Sequence, residues 1–111
     1  MSVALTIEMI ADASRRSILD ELRGGEQSVN ALVERLAISQ PAVSKHLRTL
    51  REAGLVTVRP DGQRRLYSLC PEPLLELDTW LEPYRQMWRD SLNRLETQLS
   101  ESRPSSRRKR T

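Results

Sequence analysis

The sequence predicts a mainly α-helical fold with one small β-hairpin, which is an α+β class. Three observations carry this prediction. A helical pattern over residues 39–54 has a start, an apolar stripe and an end, and a shorter one over 28–36 precedes it. Alternating segments at 55–59 and 63–69 flank Asp61-Gly62, a hairpin turn signal. Two short helices about three residues apart, followed by a hairpin, make a winged helix-turn-helix.

The helix at 39–54 has recognisable ends. Ser39 can cap its N-terminus, and Pro41 suits its first turn because the missing N–H has no partner there. Gly54 suits its C-terminal end, where a positive φ is common. Its core stripe consists of Val43, Leu47 and Leu50. We call residues 40–53 the recognition helix.

The opposite face of the recognition helix is polar and basic, with no acidic residue before Glu52. Amide and cationic side chains on a helix suit base edges and phosphates in a DNA major groove. His46, the only histidine, is expected to pack or to contact phosphate, because a lone histidine lacks partner ligands for a metal. The predicted DNA-contacting residues are Gln40, Pro41, Ser44, Lys45, His46 and Arg48.

Two helices are predicted upstream, over 3–10 and after a cap at Asp12 or Ser14. The second has an apolar face and ends at Gly24-Gly25. Arg15 and Arg16 lie at its start, where the helix dipole disfavours cations. We expect either that they contact DNA backbone phosphate or that they are simply exposed.

The hairpin at 55–69, which we call the wing, is predicted to be basic at its tip. The tip cluster is expected to contact phosphates or a minor groove; the alternative is an edge hairpin that charge keeps soluble. Pro60 predicts a short hairpin, and alternation leaves open whether Leu66 or Tyr67 faces the core. The cluster consists of Arg59, Gln63, Arg64 and Arg65.

A long amphipathic helix is predicted over about 72–100, and Pro83 should kink it or split it after Glu82. Its apolar residues recur at steps of three and four, which resembles a heptad seam. One small domain cannot cover so long a stripe, so we expect it to pair with a second copy. The interface residues predicted on this helix are Leu74, Leu77, Leu81, Tyr84, Trp88, Leu92 and Leu95.

Composition predicts one domain over 1–101 and a disordered basic tail over 102–111. The net charge is +3, yet the tail alone carries five positive charges and no acid. Residues 39–65 carry a net +4, so positive charge is concentrated where a polyanion would bind. No apolar run suits a membrane span or a secretory signal. Cys70 is the one cysteine, which suits a reducing cytoplasm; we expect an inert buried thiol, with thiol sensing as the alternative.

The combination of SQPAVSKHLRTLREAGLV and DGQRRLYSL resembles the winged helix-turn-helix repressors of the ArsR/SmtB family, from about Asp12 to Leu69. The resemblance implies a dimeric transcriptional regulator whose first helix, with Val3 and Ile7, packs in the dimer interface. Metal sensors of the family use cysteine pairs before the recognition helix or Asp/His sets on the last helix. Residues 28–31 lack cysteine and the last helix lacks histidine, so we expect a non-metal-sensing member without a cofactor.

The predicted function is that of a cytoplasmic homodimeric repressor on double-stranded DNA with a pseudo-palindromic operator. Alternatives are a non-specific DNA-coating protein of the same fold and a protein-interaction module. A small-molecule effector could bind beside Trp80, Tyr84 and Trp88. No nucleophile–base pair or phosphate-binding loop is visible, so no catalytic residue and no enzyme activity are predicted.

Overall fold

A computed structural model describes residues 2–102; the tail predicted to be disordered lies outside these residues except for Ser102, which ends the last helix. The described chain forms two compact units, one ending at Thr79 and the other beginning at Trp80, so the division falls inside the last helix. The order of elements confirms the predicted α+β class. The elements are α1 (Val3–Ile10), α2 (Ala13–Leu22), β1 (Gln27–Ser28), α3 (Val29–Leu36), α4 (Gln40–Glu52), β2 (Val56–Asp61), β3 (Arg64–Leu69) and α5 (Glu72–Ser102).

Each of the first four helices begins with a side-chain cap. The caps are Ser2, Asp12, Ser28 and Ser39, and each accepts a hydrogen bond from the backbone N–H three residues on. Of the two caps considered for α2, Asp12 is therefore the one used, with its Oδ1 2.9 Å from the Arg15 nitrogen. Local sequence determines where these helices start, because each cap satisfies a backbone donor that the helix itself leaves unpaired.

The core of the first unit forms around the buried stripe of α4. Val43, Leu47 and Leu50 are fully buried, as their spacing predicts. Ile18 and Leu32 from α2 and α3 are equally buried against them. The burial of one side of α4 leaves its other side as the exposed surface, which positions the candidate site.

The turn between α3 and α4 contains Ala37 in the left-handed conformation, with φ 55° and ψ 37°. It is the only non-glycine residue with positive φ in the described part of the chain. The Ala37 N–H donates to the Val33 carbonyl, which closes the end of α3. An alanine in this left-handed conformation is strained, at a cost of about 1 kcal/mol.

The sheet has three antiparallel strands in the order β1-β3-β2. The sequence did not predict β1, since two residues are too few to show alternation. Leu66 is buried and pairs with Ser28 and Arg59, whereas the half-buried Tyr67 packs on the main core. Because successive residues of a strand point to opposite faces, Tyr67 faces the main core and Leu66 is buried on the other face, away from that core.

The prediction that Pro60 shortens the hairpin is wrong. Pairing continues past Pro60, which lies opposite Arg65, and ends at Asp61 opposite Arg64. Proline is tolerated because β2 is an edge strand, whose outer side needs no N–H. The turn residues are Gly62 and Gln63, one position later than the predicted Asp61-Gly62, because Asp61 still pairs with Arg64. Gly62, with φ 66°, occupies the first central position of this turn, a position that favours glycine.

Helix α5 runs without interruption through Pro83, so it is not split after Glu82. Leu74, near its start, packs on the core of the first unit. In the second unit most of the large apolar side chains are exposed, whereas Leu81 is half-buried. The Glu82 carboxylate pairs with Arg85 at 2.5 Å and Arg89 at 3.3 Å. The rings of Trp80 and Tyr84 lie 4.9 Å apart between centroids, tilted by 39°.

Candidate nucleic-acid interface

The outward face of α4 carries exposed amide and cationic side chains. Gln40, Pro41, Lys45 and Arg48 are exposed, whereas Ser44 and His46 are half-buried. Within residues 2–102 neither Lys45 nor Arg48 takes part in an ion pair. One side of α4 is buried, and its other side presents cations that have no carboxylate partner within residues 2–102. A helix that reads a DNA groove needs such a side.

His46 lies on the flank of α4 rather than on its outermost line. The pKa of Asp12 is lowered chiefly because the Arg15 backbone N–H donates to its carboxylate, and His46 makes a smaller electrostatic contribution. His46 therefore lies near the capped start of α2. Its predicted packing or phosphate role stays a prediction.

The wing arginines differ in how they are paired. Arg59 forms a two-pronged ion pair with Glu26, at 2.6 Å from Nη2 to Oε1 and 3.1 Å from Nε to Oε2. The Ser68 hydroxyl donates to the same carboxylate at 3.3 Å. Arg64 pairs with Asp61 at 3.0 Å. The structure therefore compensates two of the three wing cations that sequence analysis assigned to DNA.

Arg65 and Gln63 are exposed near the same turn, and in the described part of the chain Arg65 has no ion pair. Arg51, from the last turn of α4, lines a shallow groove of about 300 Å³ together with Arg65 and Arg59. Sequence analysis missed Arg51 as part of this surface. The signal was available, because Arg51 lies one helical turn beyond Arg48 on the same side of the helix.

Sequence analysis also missed Glu26. Its carboxylate has a lowered pKa, chiefly because Arg59 donates to it, and Glu26 in turn raises the pKa of Arg59. The two residues are 33 positions apart, and no local pattern joins them. Only the packing of the loop before β1 beside the wing makes the pair.

Arg15 and Arg16 have intramolecular partners that the sequence did not predict. Arg15 donates to the carbonyls of Met9 and Glu8 at 2.8 and 3.1 Å, and Arg16 donates to Ile10 at 2.7 Å. They thus satisfy the last carbonyls of α1, where cations are favourable. Their contact with DNA phosphate stays a prediction.

Cys70 is half-buried, so the expectation of a buried thiol is wrong. Its backbone N–H donates to the Leu55 carbonyl at 2.8 Å.

Among residues 2–102, no three histidine, cysteine or carboxylate side chains lie close enough together to bind a metal ion. Within the same part of the chain, no helix is long and apolar enough to cross a bilayer.

The chain is similar to a known domain family and to known transcriptional regulators. The model of a helix-turn-helix domain family matches residues 10–59. The HTH-type transcriptional regulator Rv2034 of Mycobacterium tuberculosis is 43% identical over 77 residues, covering 69% of this chain and 72% of that protein. The transcriptional repressor SdpR of Bacillus subtilis is 36% identical over 72 residues, covering 65% of this chain and 80% of that protein.

Solved structures of transcriptional regulators have a similar fold. An ArsR-like transcriptional regulator from Rhodococcus sp. RHA1 is similar with a TM-score of 0.68 and 31% identity, over 91% of this chain and 94% of that one. NolR from Sinorhizobium fredii is similar with a TM-score of 0.61 and 35% identity, over 73% and 82%. Together with the exposed polar face of α4, these similarities show that the chain belongs to the ArsR family of winged helix-turn-helix transcriptional regulators, which are DNA-binding proteins and not enzymes.

Proposed function

We propose that this protein is a cytoplasmic repressor that binds a pseudo-palindromic operator as a homodimer. The observation that carries the proposal is the exposed face of α4, where Gln40, Lys45 and Arg48 stand opposite a fully buried stripe. In a dimer, two such helices would enter successive major grooves, about 34–36 Å apart. Repression follows when the bound dimer occludes a promoter, and the similarity to the transcriptional repressor SdpR of Bacillus subtilis supports that outcome.

Direct base contact is assigned to the exposed donors of α4. The Gln40 amide suits adenine, and the Arg48 guanidinium suits guanine, since both can form paired hydrogen bonds with a base edge. The wing is assigned to phosphate, chiefly through Arg65, which has no ion pair within residues 2–102. This division separates the groups that select sequence from the groups that supply affinity.

Dimerisation is assigned to α5 with a contribution from α1. Six large apolar side chains of α5 are between 42% and 64% exposed over residues 80–95. Ile7 of α1 is 43% exposed and Val3 is half-buried. Exposed apolar surface of this kind is typical of an interaction site, and an identical helix offers a matching stripe. These six apolar side chains are Trp80, Tyr84, Met87, Trp88, Leu92 and Leu95.

The test is a titration of purified protein against a duplex from upstream of its own gene, at two salt concentrations, with a scrambled duplex of equal length. We expect binding to the native duplex to be at least about a hundredfold tighter, which is about 2.7 kcal/mol. Equal, steeply salt-dependent binding to both duplexes would favour non-specific DNA coating. The absence of any salt-dependent binding would favour the protein-interaction alternative.

A further inference from the structure

The wing carries an ion pair that sequence analysis did not anticipate, between Arg59 of β2 and Glu26 of the loop before β1. The two nitrogens of Arg59 reach the two carboxylate oxygens at 2.6 and 3.1 Å, and Ser68 of β3 donates to the same carboxylate. A planar guanidinium facing a carboxylate with two hydrogen bonds is a stronger pair than a single contact. The Arg59 side chain nevertheless remains 56% exposed, so it lies at the surface.

The position of this pair matters because the neighbouring surface is basic. Arg59 lines the groove that Arg51 and Arg65 also border, and neither of those arginines has an ion pair in the described part of the chain. A phosphate that approaches this groove meets Arg51 and Arg65, which have no ion pair within residues 2–102, and Arg59, whose charge Glu26 already balances. The Glu26 carboxylate, which accepts hydrogen bonds from Arg59 at the edge of this groove, would repel the same phosphate.

We propose that Glu26 limits the DNA affinity of the wing by retaining Arg59, so that this arginine is not a phosphate ligand in the complex. Glu26 then acts as a negative determinant of sequence-independent binding, and recognition depends more on α4. The inference rests on the proposed contact between the wing and DNA. It assigns to Glu26 a role in DNA binding without any contact to DNA.

The experiment measures the affinity of the full chain for the native and scrambled duplexes as salt is varied. In Glu26→Gln the freed Arg59 gains a phosphate contact, so the slope of log affinity against log salt should steepen by about 0.9 per protomer on both duplexes. Affinity at low salt should rise at least about threefold on both. The control is Glu76→Gln, the same change of charge at an exposed acid without an ion pair within residues 2–102.

A double variant, Glu26→Gln with Arg59→Gln, replaces the pair with two neutral amides. If Arg59 does not touch phosphate in the wild-type complex, the double variant keeps the wild-type salt slope and its affinity stays within about twofold. A slope that becomes shallower by about 0.9 per protomer would show that Arg59 binds phosphate despite Glu26 and would overturn the inference. The inference also fails if Glu26→Gln behaves like Glu76→Gln or weakens binding.

Arg65→Ala separates this inference from the proposed function. If Arg65→Ala lowers affinity and the salt slope while Glu26→Gln has no effect, only the role of Glu26 is wrong. If neither variant changes DNA binding, the wing does not contact DNA, and the wing part of the proposed function fails with it. Thermal unfolding of each variant confirms that the comparisons are made between folded proteins.

Discussion

Arginine residues of the first unit have different roles, and the neighbours of each side chain decide which. Arg15 and Arg16 follow α1 and satisfy its last carbonyls, so their cationic charge lies at the C-terminus of one helix as well as at the N-terminus of the next. Arg59 is matched by Glu26, whereas Arg48 and Arg65 have no ion pair within residues 2–102. Counting cations in the sequence therefore overestimates the charge available to DNA.

Ala37 is a site where a substitution should stabilise the protein. Its left-handed backbone costs an alanine about 1 kcal/mol, and glycine adopts that conformation without the penalty. After the greater entropy of glycine in the unfolded chain is subtracted, Ala37→Gly should raise the free energy of unfolding by about 0.5 kcal/mol. Urea denaturation followed by circular dichroism measures this change.

The matched control for Ala37 is Ala42→Gly, which lies in the first turn of α4. Glycine there should lower the free energy of unfolding by about 0.5–1 kcal/mol, because the helical backbone gives it no conformational advantage. Equal destabilisation by both substitutions would contradict the assigned strain at Ala37.

Asp12 should make stability depend on pH in the acidic range. The Arg15 backbone N–H lowers the pKa of Asp12 in the folded state, so the folded state favours the carboxylate. Its contribution is complete above the unfolded pKa, near 4, and is lost as pH falls through the lower folded pKa. We expect Asp12→Asn, which keeps a capping oxygen, to make the fall in urea midpoint below about pH 5 less steep.

The control for Asp12 is Asp20→Asn, at an exposed position of the same helix. Urea midpoints measured at several pH values between about 3 and 7 provide the comparison. If Asp12→Asn and wild type lose stability in parallel as pH falls, the cap carboxylate is not the source of the dependence.

At the scale of elements, α4 and the wing divide the work of recognition. Every buried side chain of α4 belongs to its apolar stripe, and Gln40, Lys45 and Arg48 are exposed on the outward side. The wing is fixed by pairing with β1 and by the Glu26–Arg59 contact, which anchor it to the loop after α2. The two elements therefore present separate surfaces with different chemical capacities.

This division predicts different effects for Arg48→Ala and Arg65→Ala. Loss of a base contact should weaken operator binding by about 1–3 kcal/mol and scrambled-duplex binding by less. Loss of a phosphate contact should weaken both duplexes equally and make the salt slope shallower by about 0.9 per protomer. Equilibrium titrations at several salt concentrations distinguish the two, and equal losses on both duplexes for Arg48→Ala would contradict base reading.

At the scale of the whole molecule, the second unit exposes large apolar side chains that nothing within residues 2–102 covers. Leu92 and Leu95 are 64% and 50% exposed, and Trp88 is 54% exposed. The polar side chains of the same helix instead form short-range pairs, such as Arg89 with Gln86 at 3.0 Å and Arg94 with Ser91 at 3.2 Å. A second copy of the chain is the partner we propose for this apolar stripe.

Leu92→Glu should disrupt the proposed dimer, because a carboxylate would be buried in an apolar interface without a partner. We expect at least a tenfold rise in the dimer dissociation constant, measured by sedimentation equilibrium, with a matching loss of operator affinity. The control is Asn93→Asp, which adds the same charge at an exposed residue about 100° around the helix, on the side away from Leu95, and should leave the dimer intact. Dissociation that is equal in both variants would indicate a general charge effect and not an interface at Leu92.

Local sequence by itself determined the helices, their caps, the hairpin and the outward face of α4. Caps, periodicity and turn residues act over a few positions, so Ser39, the stripe from Val43 to Leu50 and the turn at Gly62 could be read directly. Leu66 and Tyr67 could not be assigned, because alternation does not show which face of β3 is buried and the strand β1 that pairs with it shows no sequence pattern.

Tertiary structure alone decided which cations are available to DNA. Glu26 and Arg59 are 33 residues apart, and Arg16 reaches a carbonyl six residues back in another helix. Charge in a sequence is counted residue by residue, but its effect depends on distance in space. The sequence therefore predicted the family and the recognition helix, whereas the charge that the wing presents was decided only by the fold.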